Sequence, residues 1–353
     1  MASGMTGRIV FSSGKQGDYD IWSLDLDANK LTQLTSGTFW NDKPRFTPDG
    51  RSVVFVSNES GTPDIYSVNV DGGPVKPLIQ NGRWNDFPAL SPDGSKLGFV
   101  SNVSGDNDIW IADADGTNPR QITRHPGDDT FFAWTPDDRS VLFSSDREGN
   151  ADIFRYDLKS GRKHQLTTDI GLDIHPAPSP NGNYIAFVSN RQFAPDKCKD
   201  DWDDRDLDLW LIRADGTHQV RITDNQGCDR CVAWSPQGTH LIFASSAESE
   251  SAERLRIVDV TELAAAFDTG NADSINRIAD RLRSASLQLN RGRLEREIGA
   301  QRHPFFLTSL LPDFLMRRIY DQSYWGGERF PDWHVGSSAE FGPRVWDSTH
   351  HFV

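Results

Sequence analysis

The sequence predicts an all-β chain: a six-bladed β-propeller of four-stranded antiparallel blades, with a partly helical C-terminal appendage and ring closure by a C-terminal strand. Three observations predict it. A turn marker, (S/T)-P-(D/N/Q)-(G/D), recurs with its prolines at Pro48, Pro92, Pro136, Pro180 and Pro236, spaced 44, 44, 44 and 56 residues apart. A second marker, Asp followed by an aliphatic and then an aromatic residue, recurs at Asp20, Asp64, Asp108, Asp152 and Asp208 with the same four spacings. Each period also holds four segments of strand pattern, and self-similarity at such a period marks a repeat architecture.

The unit from Asn41 shows how one period reads. KPRF is a short strand that meets the turn TPDG, where Pro48 fixes φ and Gly50 can take φ > 0. SVVFV is a β-branched and aromatic run suited to a buried strand. DIYSVNV alternates, with Tyr66, Val68 and Val70 on one face, and Trp22/Leu24/Leu26, Trp110/Ala112/Ala114, Phe154/Tyr156/Leu158 and Trp210/Ile212/Ala214 repeat the pattern. The pairs Asp71-Gly72, Asp115-Gly116 and Asp215-Gly216 make hairpin turns. A fourth strand ends in Leu34-Thr35, Ile122-Thr123, Leu166-Thr167 or Ile222-Thr223. Four antiparallel strands in 40–45 residues make a propeller blade.

The repeat pattern PxFSPDG…IAFxSxxxGxxDIYxxxxDGxxxxxLT resembles the TolB-like repeat, a relative of the WD repeat, over roughly residues 7–260. The resemblance implies fold strongly and function weakly, because propellers serve many unrelated roles. Each recurring Asp follows a loop and precedes a buried strand, so its carboxylate is expected to accept loop N–H groups, and the resemblance implies that the position is a fold determinant.

Residues 7–260 therefore form the propeller. The first unit starts at RIVF, which matches the second strand of a blade and leaves the innermost place empty. The C-terminal FGPRVWDS resembles DKPRFTPDG around Pro44, so Pro343 to Trp346, within a closing segment 340–353, is expected to fill that place. An unpaired inner strand would otherwise expose a row of backbone donors and acceptors. Residues 261–339 do not repeat. Helices are expected over 261–267 and roughly 273–299, with Asp273 as N-cap and Gly299 as the stop.

Composition bounds the function classes. The 353 residues carry a net charge of −14, which disfavours nucleic acid and anionic lipid as partners. No run approaches the length of a transmembrane helix. The start, MASGMTGRIVF, does not read as a secretory leader, so a periplasmic or extracellular location is expected only if a leader has been removed.

Aligning the repeats on the turn marker puts Asn41, Asn85, Asp129, Asp173 and Asp229 at one position, and Glu340 as well if the closing strand is aligned with them. That position starts the innermost strand at the mouth of the central channel. A ring of oxygen ligands there suits Ca²⁺, while Asn and Asp are also ordinary turn-capping residues. The acidic insertion RQFAPDKCKDDWDDRDLD lacks the Gly and closing Glu of an EF-hand. Cys198 lies in that insertion, and Cys228 and Cys231 lie in the segment entering the next unit, so a disulfide from Cys198 to either is sterically reasonable. Arg277, Arg281, Arg283, Arg291, Arg293 and Arg296 make a basic island on an acidic chain, followed by the apolar HPFFLTSLLPDFLMRRIY.

No GxSxG, HExxH, P-loop or GxGxxG motif is present. The function expected is a non-catalytic scaffold that binds a partner protein through its loop face or C-terminal appendage, with a structural cation at the channel mouth as an option. The resemblance to TolB, an envelope protein that docks other proteins, implies the same. The alternatives are a metal-dependent carbohydrate-active lyase or hydrolase, and a sugar-binding propeller that stacks its ligand on Trp40, Trp84 and Trp202, of which Trp40 and Trp84 hold equivalent places beside the ring.

Overall fold

The computed structural model describes residues 8–15, 18–25, 28, 30–191, 207–224, 229–235, 237–245, 254–286 and 306–310. They form six small sheets whose strand pairs are all antiparallel. The first sheet holds β1 (Arg8–Lys15), β2 (Asp18–Asp25) and β3 (Lys30–Gln33). The second holds β4 (Asn41–Phe46), β5 (Ser52–Ser57), β6 (Asp64–Asn69) and β7 (Lys76–Ile79). The third holds β8 (Asn85–Leu90), β9 (Lys96–Ser101), β10 (Asp108–Asp113) and β11 (Arg120–Gln121). The fourth holds β12 (Asp129–Trp134), β13 (Ser140–Ser145), β14 (Asp152–Asp157) and β15 (Lys163–Gln165). The fifth holds β16 (Asp173–Pro178), β17 (Tyr184–Ser189), β18 (Asp208–Arg213) and β19 (Val220–Arg221). The sixth holds β20 (Asp229–Trp234), β21 (His240–Ser245) and β22 (Arg254–Asp259). Helices α1 (Thr261–Thr269) and α2 (Ala272–Ser286) follow, and then β23 (Phe306–Leu310).

The turn marker works as its chemistry requires. In TPDG the Gly50 N–H donates to the Thr47 carbonyl at 2.8 Å, and Gly50 takes φ 68. In TPDD the same place falls to Asp138 at φ 58, one of the few side chains that tolerate the left-handed region. Second strands are the most buried elements. Val53, Phe55, Phe143, Phe187 and Phe243 are fully enclosed between neighbouring blades, each aromatic ring contributing about 2–3 kcal/mol of burial.

Three expectations are corrected. Five sheets have the four strands of a complete blade where six were expected; the sixth has three among the described residues. The reason is local. After β22 the chain enters TELAAAF, rich in strong helix formers, instead of an Asp-Gly hairpin. Helix α2 then packs against the outer strands β19 and β22. Leu263, Phe267, Ile275, Ala279 and Leu282 are buried in one cluster with Leu209, Val258 and other core residues of the last two sheets. The Tyr184 hydroxyl donates to Asp268 at 2.5 Å and lies 2.9 Å from the Ala264 carbonyl. Arg213 Nη1 donates to the Phe267 carbonyl at 2.7 Å.

The second correction concerns closure. β23 takes the innermost place of the first sheet, antiparallel to β1, with Val10 opposite Ser309. A C-terminal strand does seat there, but it is Phe306–Leu310, and the expected Pro343 to Trp346 lie outside the described residues. The helix expected over 273–299 begins at Ala272, and Asn271, rather than Asp273, caps it by accepting the Ser274 N–H at 3.0 Å. Gly299 lies outside the described residues.

Candidate functional site

The recurring Asp of the third strand is a cross-link in four of the blades. Thr35, Thr123, Thr167 and Thr223 donate their hydroxyls to Asp20, Asp108, Asp152 and Asp208 at 3.0, 3.3, 3.0 and 3.2 Å. The same hydroxyls accept the N–H of Ile21, Ile109, Ile153 and Leu209 at 2.8 to 2.9 Å. This explains the terminal Leu-Thr and Ile-Thr pairs: the threonine ties the outermost strand to the strand beside it.

The inner-strand residues predicted as a ring pack against these aspartates from the next blade. Asn41, Asn85, Asp129, Asp173 and Asp229 are all buried. Asn41 Nδ2 donates to the Tyr19 carbonyl at 3.0 Å and Asp20 at 3.4 Å. Asn85 Nδ2 donates to Asp64 at 2.7 Å. Asp129 and Asp173 cannot donate when ionised, so a cation joins them. Arg147 Nη2 reaches both Asp129 oxygens at 2.6 and 2.7 Å. Arg191 Nε donates to Asp173 Oδ1 at 3.3 Å and its Nη2 to Oδ2. Both guanidinium groups lie over aromatic rings: Arg147 is 4.8 Å from the Phe154 centroid and Arg191 4.7 Å from Trp210. Asp229 lies beside Asp208, which Arg221 Nη2 reaches at 2.6 Å. Burial, with Asp173 next to it, pushes Asp152 up to about 7. Burial outweighs Arg221 and pushes Asp208 up to about 7 as well.

Among the described residues, no three His, Cys, Asp or Glu side chains gather as a metal group would require. Glu340, Cys198, Trp202, Cys228, Arg291, Arg293 and Arg296 lie outside the described residues, as does the side chain of Cys231 in β20. Trp40 and Trp84 are half-buried at equivalent places, and their backbone N–H groups donate to the side-chain oxygens of Asn58 and Asn102 at 2.7 and 3.0 Å. Arg277 is exposed and bonds within its own helix to the Asp273 carbonyl at 3.2 Å. Arg281 pairs with Glu262. Arg283 pairs with Asp280 and donates to the Arg221 carbonyl at 2.8 Å.

A second ring lies two residues further along the inner strands. Lys43, Phe87, Phe131 and His175 take φ of 52, 49, 49 and 55. Each sits where its strand bulges against the second strand, between Asp42 and Arg45, Asp86 and Ala89, Thr130 and Ala133, and Ile174 and Ala177. A bulge re-aims a side chain, and left-handed backbone costs roughly 1–2 kcal/mol for each such residue. The four side chains touch in series. Lys43 Nζ lies 4.0 Å from the Phe87 centroid. The Phe87 and Phe131 centroids are 5.0 Å apart, and those of Phe131 and His175 are 4.0 Å apart, both edge to face. All four are half-buried. Lys43 also pairs with buried Asp86, whose Oδ1 accepts the Phe87 backbone N–H at 2.7 Å. The sequence carries little signal for this ring, because Lys, Phe, Phe and His share no chemical type; only their backbone conformation unites them.

The family model described as the TolB beta propeller domain matches residues 3–88 and 80–197. Comparison with curated proteins gave no match. Among solved structures, TolB from Acinetobacter baumannii is similar at a TM-score of 0.58 and 22% identity, over 72% of this chain and 61% of that one. The protein described as TolB from Agrobacterium tumefaciens gives 0.57 at 22% identity, over 73% of this chain and 87% of that one. A puromycin-hydrolyzing peptidase from Mycobacterium tuberculosis gives 0.54 at 18% identity, over 72% of this chain and 43% of that one. At these identities the structural likeness concerns the fold alone. The family match spans more than half of the sequence, and by it the chain belongs to the TolB β-propeller family.

Proposed function

We propose that this chain is a non-catalytic binding propeller whose partner, a protein segment, docks over the ring of Lys43, Phe87, Phe131 and His175. One observation carries the reading. Four successive inner strands hold a non-glycine residue in left-handed backbone at the same place, and the half-buried side chains form one continuous surface. Strain retained at a recurring place is a mark of a working site. Aromatic faces beside a cation suit an apolar or aromatic side chain followed by an acidic group. The partners of the described carboxylates support the absence of catalysis: Asp64, Asp108, Asp129, Asp152, Asp173 and Asp208 each accept donors from the blades themselves. An extracytoplasmic location and a Cys198 disulfide belong to the same reading.

Native mass spectrometry of protein gently purified from its natural source tests it, alongside the variant Phe87→Ser/Phe131→Ser. The expected result is a co-purifying protein that the variant loses while its melting temperature stays within a few degrees. Retention of the partner by the variant would overturn the assignment of the ring.

A further inference from the structure

The chain holds two Asn-Gly pairs, Asn81-Gly82 and Asn181-Gly182. Such a pair can react with itself. The glycine nitrogen attacks the asparagine Cγ and forms a C–N bond. The Cγ–Nδ2 bond breaks, and the side-chain amide leaves as ammonia with the proton of the glycine N–H. Water then opens the cyclic imide at either carbonyl, leaving aspartate or isoaspartate. Glycine favours the attack because no Cβ shields its nitrogen.

The two pairs present the same electrophile. Asn81 Oδ1 accepts the Arg83 N–H at 3.0 Å and Asn85 Nδ2 at 2.9 Å. Asn181 Oδ1 accepts the Asn183 N–H at 3.0 Å and the Ser179 hydroxyl at 2.7 Å. Donors aimed at that oxygen stabilise the negative charge it gains as the nitrogen adds. Both glycines take the same left-handed backbone, φ 70 and 72. The nucleophiles differ. Gly182 donates its N–H to the Ser179 carbonyl at 2.8 Å within the SPNG turn. Among the described residues the Gly82 N–H meets no acceptor, and Asn81 and Gly82 are both exposed. Hydroxide therefore reaches the Gly82 proton directly, whereas Gly182 must first break its turn.

We infer that Asn81-Gly82 is a self-modification site that rewrites the junction between the second and third blades. Asn81 and Asn85 form a reciprocal amide pair there, with Asn81 Nδ2 donating to Asn85 Oδ1 at 3.0 Å. Asn85 is fully buried, and its Nδ2 also reaches Asp64 at 2.7 Å and the Arg83 carbonyl at 2.9 Å. A carboxylate at position 81 cannot donate, so Asn85 Oδ1 loses its partner, and turning the Asn85 amide over would strip Asp64 of its donor. The fifth blade shows what an acid at this place needs. Asp169 stands before Asp173 as Asn81 stands before Asn85, and Arg191 Nη1 lies 3.9 Å from its carboxylate. The residue equivalent to Arg191 at the Asn85 junction is Val103. Conversion of Asn81 thus makes a charged junction that lacks its cation, beside buried Asp64.

The test is timed peptide mapping of the full, folded chain at mildly alkaline pH. Asn81 is expected to convert roughly tenfold faster than Asn181, with isoaspartate among its products, and the two rates should come together in urea, where both N–H groups are free. Equal rates in the folded chain, a faster Asn181, or a difference that persists in urea would overturn the inference. This arm uses the native sequence and needs no variant to fold. Asn81→Asp makes the product directly. Its melting temperature should fall by several degrees, and adding Val103→Arg should recover part of the loss, as coupled charges require. A variant as stable as the parent, or one that Val103→Arg does not help, would overturn the effect on the junction.

Discussion

The first two blade junctions and the later ones solve one packing problem with different chemistry. At Asp20/Asn41 and Asp64/Asn85 a neutral amide donates directly to the carboxylate of the preceding blade. At Asp108/Asp129 and Asp152/Asp173 two acids face each other, and an arginine 18 residues beyond the second one supplies the missing positive charge. The residues at that offset in the amide junctions are Glu59 and Val103, neither of which could do so. At Asp208/Asp229 the cation arrives from Arg221 on the outermost strand, where Gln33, Gln121 and Gln165 stand in other blades. A repeat can thus keep its geometry while its electrostatics change from neutral to charged. The charged version makes stability depend on a distant side chain and on pH.

The largest way to break this contrast is Arg191→Ala. It leaves Asp173 buried beside Asp152 without its cation, and a loss of roughly 3–5 kcal/mol is expected in urea denaturation. The pair Asp173→Asn/Arg191→Val, which copies the Asn85/Val103 arrangement, should lose less than half as much. If the pair is as damaging as the single change, the two junction types are not equivalent. Asn85→Ala strips Asp64 of a buried donor and is expected to cost about 1–3 kcal/mol by the same measurement.

The pH dependence sharpens the comparison at a smaller scale. Burial pushes Asp128, Asp152 and Asp208 up to about 7. These carboxyls hold protons in the folded chain up to that pH, but in the unfolded chain only up to about 4. Folding therefore takes up protons between those values, and stability falls as the pH rises through the window. Melting temperatures should rise from pH 8 to pH 5.5, and Asp152→Asn should flatten the slope. A slope of opposite sign would show that the arginine partners outweigh burial.

Most of the fold is legible in the sequence because the repeat is anchored by residues with one physical job each. Pro48 and Gly50 make a turn, Asp64 heads a strand, and Thr35 closes one. The sixth blade, three-stranded among the described residues, is legible only in part: TELAAAF reads as helix, yet RLRIVDV before it reads as a third strand that calls for a fourth. The head positions Asn41 to Asp229 are found by alignment, but their partners are not. Arg147 and Arg191 lie outside both markers, and nothing in their local sequence says which carboxylate they meet. The ring of Lys43, Phe87, Phe131 and His175 escapes pattern reading altogether, since a bulge and a φ near +50 leave no common side-chain type.

The central claim is that this ring, and not the outer rim of the blades, receives the partner. Its most direct test is site-specific photo-crosslinking in the natural source, with the crosslinking side chain placed either at Phe131 or at the exposed Lys163 of β15. The account predicts a discrete protein adduct from position 131 and none from position 163. Equal labelling from both positions, or an adduct from 163 alone, would contradict it.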